Sequence, residues 1–170
     1  SEGSDSCGTQ KILFKTKDNL KIEAVIIPEE DRTTVCISCQ VGCALACDFC
    51  ATGQMGFARN LAAGEIIEQV WHLRNISHRK ITNIVFMGMG EPFLNYENVI
   101  KAAKLLNDPD AFAIQKKKIT LSTAGISPKI RQFADEQHPF SLAVSLHAPN
   151  QQLRESIMPI AKKYPIEDLL

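Results

Sequence analysis

From Thr34 onward, short apolar runs that end in small polar residues alternate with stretches of helical periodicity, and this alternation fixes the fold class. Thr34–Ser38, Ile81–Met87, Lys118–Ser122 and Ser141–Leu146 read as strands, the second apolar enough for burial on both faces. Between them, Ala63–Arg74 carries Ile66, Ile67, Val70 and Trp71 on one side of a helix, and a helix from about Glu97 to Leu106 turns Val99, Ile100 and Ala103 inward. Asp108-Pro-Asp110 breaks that helix, and Ser127-Pro128 opens the next with proline at its favoured first position. Gln151–Ser156 is expected to be helical, and Ile166–Leu170 reads as a helix beginning. Strand–helix repeats of this kind imply an α/β fold with a parallel sheet and right-handed crossovers. Four βα units suit part of a barrel, whose active site lies at the C-terminal ends of its strands. Ahead of them, Lys11–Thr16 and Lys21–Ile27 read as a β-hairpin around Lys17-Asp-Asn19. The expected organisation is an N-terminal extension over residues 1–30 and a core domain over 31–170.

Cys43, Cys47 and Cys50 follow the first core strand in a Cys-x₃-Cys-x₂-Cys arrangement. On a helix they would share one face as small buried hydrophobes, but Gly42, Gly53 and Gly56 flank them and favour a loop. Structural zinc usually takes four protein ligands, commonly from two separated Cys pairs, and no second pair follows Cys50. A cubane iron–sulfur cluster normally takes four cysteines. Three thiolates would leave one iron open to another ligand, which suggests chemistry at the cluster.

All six cysteines lie within the first 50 residues, five of them between Cys36 and Cys50. That crowding resembles a metal site in a reducing compartment more than a disulfide framework, so a cytoplasmic protein is expected. The polar N-terminus does not resemble a signal peptide, and no apolar run approaches the roughly 18 residues of a membrane span. Nineteen basic and nineteen acidic residues balance to zero net charge, so composition neither demands nor excludes an RNA partner. Arg74, His78, Arg79 and Lys80, and the run Lys116-Lys-Lys118, are either local basic contacts or solvated faces.

The strand ends carry the remaining candidates. Gly88-Met-Gly-Glu-Pro92 offers glycines for backbone access and Glu91 as an acceptor for a cationic amine, or it is a tight βα turn with an incidental acid. Ser122 and Ser145 either contact ribose hydroxyls or a carboxylate, or bond nearby backbone. His147 is a base, a hydrogen-bonding group or a structural residue. Phe49 either stacks on a purine or packs.

The segment Val35–Leu61, with its cysteine triad and the Ala-Thr-Gly-Gln-Met-Gly-Phe57 run, resembles the radical SAM RNA methyltransferases of the RlmN/Cfr family. The resemblance continues through Met87-Gly-Met-Gly-Glu-Pro92, Leu121-Ser-Thr-Ala-Gly125 and Ser145-Leu-His-Ala-Pro-Asn150, four blocks in order over about residues 11–170. It is nearer to the branch that methylates adenine C2 than to the C8 branch. It implies the N-terminal part of a partial (β/α) barrel. Cys43, Cys47 and Cys50 would ligate a [4Fe–4S] cluster, and S-adenosylmethionine would chelate the open iron. Gly90, Glu91, Ser122, Ser145, Leu146 and His147 match the family's cofactor-contact positions, and Met87 lines the same site. Glu23 matches its proton acceptor and Cys36 one of its two mechanistic cysteines.

The implied substrates are 23S rRNA and tRNA. The implied reaction spends one S-adenosylmethionine on methylating a cysteine in the C-terminal half and a second on a 5′-deoxyadenosyl radical. Cys36 then releases the product by forming a disulfide with the methyl-carrying cysteine. An electron donor such as flavodoxin or ferredoxin and a monomeric state are also implied. The sequence departs from the pattern in placing Cys39 where Ser is common, and in lacking the N-terminal accessory domain and the C-terminal part with the methyl carrier. The final Ile166-Glu-Asp-Leu-Leu170 shows no C-cap, and four units cannot close an eight-stranded barrel; the chain reads as a fragment, inactive alone.

Overall fold

A computed structural model describes residues 3–4 and 8–169. In chain order the strands are β1 (Gly3–Ser4), β2 (Gln10–Lys15), β3 (Lys21–Pro28), β4 (Thr33–Cys36), β5 (Gln40–Gly42), β6 (Phe57–Asn60), β7 (Asn83–Phe86), β8 (Ile119–Thr123) and β9 (Ser141–Val144). The helices are α1 (Ala51–Gln54), α2 (Ala63–Ile76), α3 (Tyr96–Asn107), α4 (Ser127–Asp135) and α5 (Gln151–Ile157), with short 3₁₀ turns at Pro92–Leu94, Lys116–Lys118, Pro159–Lys162 and Ile166–Asp168. The helix expected to begin at Ile166 is thus a single 3₁₀ turn.

Seven strands form one mixed sheet in the order β1-β2-β3-β4-β7-β8-β9. The four expected core strands β4, β7, β8 and β9 are parallel neighbours in that order, with α2, α3 and α4 lying between successive strands in the chain. The hairpin β2–β3 joins the same sheet, because β3 pairs antiparallel with β4. Asn19 supplies the left-handed residue of its turn, a conformation asparagine tolerates (φ 65°).

The two faces of this sheet differ. Ile22, Ala24, Ile26, Val35, Ile84 and Leu121 are buried in one cluster with Ile66, Val70 and Leu73 of α2 and Val99, Ala103 and Leu106 of α3. Trp71 does not join them. It is 54% exposed with its ring set edge-on against that of His72, while Leu73 takes the inward place. On the other face, Val25, Cys36, Val85, Thr120 and Ser141 lie in a register row across five strands, all only partly buried. Side chains alternate along a strand, so Glu23, two residues from Val25, shares the face of Cys36 and lies toward the C-terminal end of β4.

Candidate active site

The loop with the three cysteines is closed by a two-stranded ribbon of β5 and β6, an element the sequence did not announce. Gly42 makes the ribbon possible: its φ is +75°, and a Cβ there would stand 1.9 Å from the Gly56 carbonyl oxygen. The Cys43 N–H donates to that same oxygen at 2.8 Å. Within the loop the Cys50 N–H donates to Cys47 O at 3.0 Å, and the Asp48 N–H donates to Ile157 O at 3.0 Å, which pins the loop onto the end of α5.

Buried amides anchor the stretch leading into the loop. Gln69 on α2 donates from Nε2 to Ser38 O and accepts at Oε1 from the Ser38 N–H, both at 2.9 Å, as a neighbouring strand would. Asn95 Nδ2 donates to Cys39 O and Leu61 O, both at 2.8 Å. Gln40 Oε1 accepts from the Glu91 N–H at 2.8 Å, and its Nε2 donates to Asn60 Oδ1 at 2.8 Å. Gly90 packs against this side chain with φ +99°; a Cβ would come within 2.5 Å of Gln40 Cβ. The glycines after β7 therefore serve close approach of two loops.

A cavity of about 460 Å³ opens at the C-terminal ends of the parallel strands. Cys43, Cys47 and Cys50 line it together with Met87, Gly90, Glu91, Ser122, Ser145 and His147, so most of the residues singled out in the sequence meet in one place. Leu146 is not among its lining residues. Glu23 and Cys36 do not line it either and lie on the partly open sheet face; Glu23 is 3.2 Å from Lys11 Nζ. Ser122 Oγ and Ser145 Oγ are 3.3 Å apart across β8 and β9. Phe49 is 54% exposed at the cavity, its ring centroid 4.5 Å from that of His147, which holds a left-handed backbone (φ 57°) uncommon outside glycine. Thr123 and Ala124 of the Leu121–Gly125 block also line it, as do Leu45 and Met158, which were not singled out. Met158 and Leu45 pack in a small apolar cluster with Cys43, Cys47, Ala124 and Ala161, which no periodicity in the sequence marks.

Glu91 is buried, and both its oxygens are engaged: Oε2 accepts from the Ala124 N–H at 2.7 Å and Oε1 from the Phe93 N–H at 3.0 Å. Burial pushes its carboxyl up, against the pull of those donors. Burial likewise pushes up the Cys43 thiol, and pushes Cys47 up to about 11, with neighbouring thiols and Glu91 adding to it. These thiols are protonated at neutral pH, so taking up a metal group releases protons.

Among the described residues, no three His, Cys, Asp or Glu side chains are arranged to hold one metal ion. Three soft thiol ligands lining one cavity suit the irons of an iron–sulfur cluster. Cys39 does not contribute. It is buried away from the cavity, its Sγ 3.6 Å from Met89 O, and burial pushes its thiol well up. The five described cysteines are free thiols, so the expected disulfide has no counterpart among the described residues; Cys7 lies outside them. The basic side chains Arg74, His78, Arg79 and Lys80 line a separate cavity with Ile81 and Phe112, just before β7 begins, and Lys116–Lys118 precede β8; neither group borders the thiols.

A family model for the Radical SAM superfamily matches residues 37–170. Members of that superfamily use a [4Fe–4S] cluster and S-adenosylmethionine. The chain is 50% identical over 165 residues to the dual-specificity RNA methyltransferase RlmN of Syntrophobacter fumaroxidans, covering 96% of this chain and 48% of the relative. It is 46% identical over 170 residues to the RlmN of Alcanivorax borkumensis, covering 96% and 44%. The chain thus spans about half the length of the curated relatives it matches. The crystal structure of a radical SAM methyltransferase from Sphaerobacter thermophilus superposes with a TM-score of 0.93 at 48% identity, over 99% of this chain and 51% of that one. Thiol triad, strand-end cavity and parallel-strand order together agree with that match: the chain belongs to the radical SAM superfamily, and within it is similar to the RlmN methyltransferases.

Proposed function

We propose that this chain is the cluster-bearing part of a radical SAM RNA methyltransferase acting on adenine C2 in 23S rRNA and tRNA. The observation that carries the reading is the single cavity lined by Cys43, Cys47, Cys50, Glu91, Ser122, Ser145 and His147, in a chain about half identical to RlmN proteins. Cys43, Cys47 and Cys50 hold a [4Fe–4S] cluster. When bound, cluster and S-adenosylmethionine supply one-electron cleavage of a sulfonium, the chemistry needed to functionalise an amidine carbon that is not nucleophilic.

The chain's own residues bind and orient. Gly90, Glu91 and His147 line the wall beside the thiols and would hold S-adenosylmethionine there. The Ser122–Ser145 hydroxyl pair offers donors and acceptors to the same molecule. Leu146, outside the lining, acts through its backbone. Phe49 and His147 present paired rings at the opening and suit a planar base.

Cys36 is partly buried on the sheet face it shares with Glu23, and burial pushes its thiol up. A thiol so placed needs a base before it can act as a nucleophile. Glu23 accepts a proton from the reacting base. Its carboxylate is held by Lys11 on a half-exposed edge, free to change partner. RNA is the partner, with an electron donor of flavodoxin or ferredoxin type, and the chain acts as a monomer in the cytoplasm. No helix among the described residues is long and apolar enough to cross a membrane.

The test is nucleoside analysis of 23S rRNA and tRNA from a strain lacking this gene. Loss of 2-methyladenosine from both is expected. Loss of 8-methyladenosine instead would move the chain to the C8 branch, and unchanged nucleosides would refute an RNA substrate. Separately, the chain reconstituted without air should bind iron and sulfide and cleave S-adenosylmethionine when reduced.

A further inference from the structure

Under the cysteine loop a full positive charge is enclosed, and no carboxylate among the described residues forms an ion pair with it. Arg154, on α5, is 0% exposed. Its Nη2 donates to Ala124 O at 2.6 Å and its Nη1 to Tyr164 O at 2.9 Å, while the buried Nε has no hydrogen-bond partner. No ion pair among the described residues includes it. A buried guanidinium left without an anion is among the costliest groups a protein can enclose.

The position of Arg154 says what the anion is. One turn further on, Met158 lines the thiol cavity, and Ile157 O receives the Asp48 N–H, so α5 packs directly against the loop between Cys47 and Cys50. Cys47 immediately precedes Asp48, so its thiol stands on the segment that α5 pins. Ala124, whose carbonyl takes Nη2, also lines the cavity and gives its N–H to Glu91. Arg154 and Glu91 therefore brace the same wall residue from two sides.

We propose that Arg154 is a positioning residue whose fixed positive charge balances the thiolate-bound cluster and sets how readily that cluster accepts an electron. The inference rests on the cluster assignment made above. On reduction the cluster gains one electron from the supplied reductant, so its charge falls by one, and a nearby cation that cannot lose its proton favours the reduced state.

The experiment is a mediated redox titration of the chain reconstituted with iron and sulfide, followed by electron paramagnetic resonance of the reduced cluster. Arg154→Met and Arg154→Gln remove the charge; Arg154→Lys keeps it and loses the planar fork. The neutral variants should shift the one-electron equilibrium toward the oxidised state about tenfold, a midpoint about 59 mV lower. Arg154→Lys should leave it within a factor of about three, since a cation remains in place. Neutral variants with a lower melting temperature but an unmoved midpoint would overturn the proposal and leave Arg154 merely structural.

Where the neutral variants do not fold, Arg154→Lys decides. A midpoint held near that of the parent supports the charge role. A shift as large as tenfold, or a lysine variant that does not fold although its charge is kept, overturns it. A parent chain that takes up no iron would sink the cluster assignment and this inference together, whereas an iron-loaded neutral variant with an unmoved midpoint sinks this one alone.

Discussion

Asn95 offers the sharpest test of how the cysteine loop is held. Its side chain is buried between the turn after β7 and the start of α3, and its Nδ2 reaches Cys39 O and Leu61 O at 2.8 Å each. Those carbonyls mark the two ends of the segment that carries the thiols. Asn95→Ala removes both bonds and also the half-buried Asn98 Nδ2 bond to Asn95 Oδ1. Cys39 O keeps the Leu61 N–H at 3.1 Å, but Leu61 O loses its donor in a buried site. Two ordinary bonds at about 1 kcal/mol each, with part of the 1–3 kcal/mol cost of an orphaned acceptor, give about 2–4 kcal/mol. For a chain of this size that lowers Tm by roughly 6–12 °C.

Asn95→Asp should be worse, because it sets a carboxylate against two carbonyl oxygens where a donor stood. The control is Asn98→Ala, which removes only a half-buried bond to Asn95 Oδ1 and should cost about 1 kcal/mol or less. Thermal melts followed by circular dichroism at pH 7, without metal, read all three. If Asn95→Ala melted no lower than Asn98→Ala, the amide would not be the anchor argued here.

The other predictions are briefer. Cys43→Ala, Cys47→Ala and Cys50→Ala should each abolish iron uptake in anaerobic reconstitution, whereas Cys39→Ala should keep it; iron analysis and visible absorption decide. Gly90→Ala should destabilise the chain by more than about 2 kcal/mol, since it adds backbone strain to a collision with Gln40, and denaturant titration measures it. Arg59 holds Asp18 and Glu65 below the usual carboxylate range through hydrogen bonds at 2.7–2.8 Å. Lowered carboxyls contribute stability that is present above about pH 4.5 and is lost as pH falls through the folded-state values. Arg59→Ala should therefore flatten the acid limb of the Tm–pH curve, modestly because the cluster is partly exposed.

Period and punctuation made the parallel strands, their order and the flanking helices legible, because each is a run long enough to show its pattern. The ribbon of β5 and β6 was not, as strands of three and four residues with a register shift at Val41/Gly42 have no readable period. Gln69, Asn95 and Gln40 resemble surface amides in the sequence; only their long-range partners reveal them as core fixtures. Trp71 errs the other way, an aromatic at a core spacing that the fold leaves outside. Arg154 was hidden by the same prior, since a helical arginine is usually solvated. For the site, residue types and order located the cavity wall. They did not tell that both Glu91 oxygens already serve backbone amides, or that Cys39, four residues before Cys43, faces away.

The manner in which the loop is fastened has a consequence for biosynthesis. Residues 38–50 are secured by Gln69, Met89, Asn95 and Ile157, the last more than a hundred residues downstream. A chain emerging from the ribosome presents its three thiols early, yet cannot shape them until most of the sequence up to α5 has been synthesised and folded. Iron delivery to the nascent polypeptide would meet a floppy cysteine-rich stretch open to oxidation and to stray metals. Cluster insertion is thus expected only after α5 has been synthesised and folded, and the thiols need guarding by a reducing milieu until then.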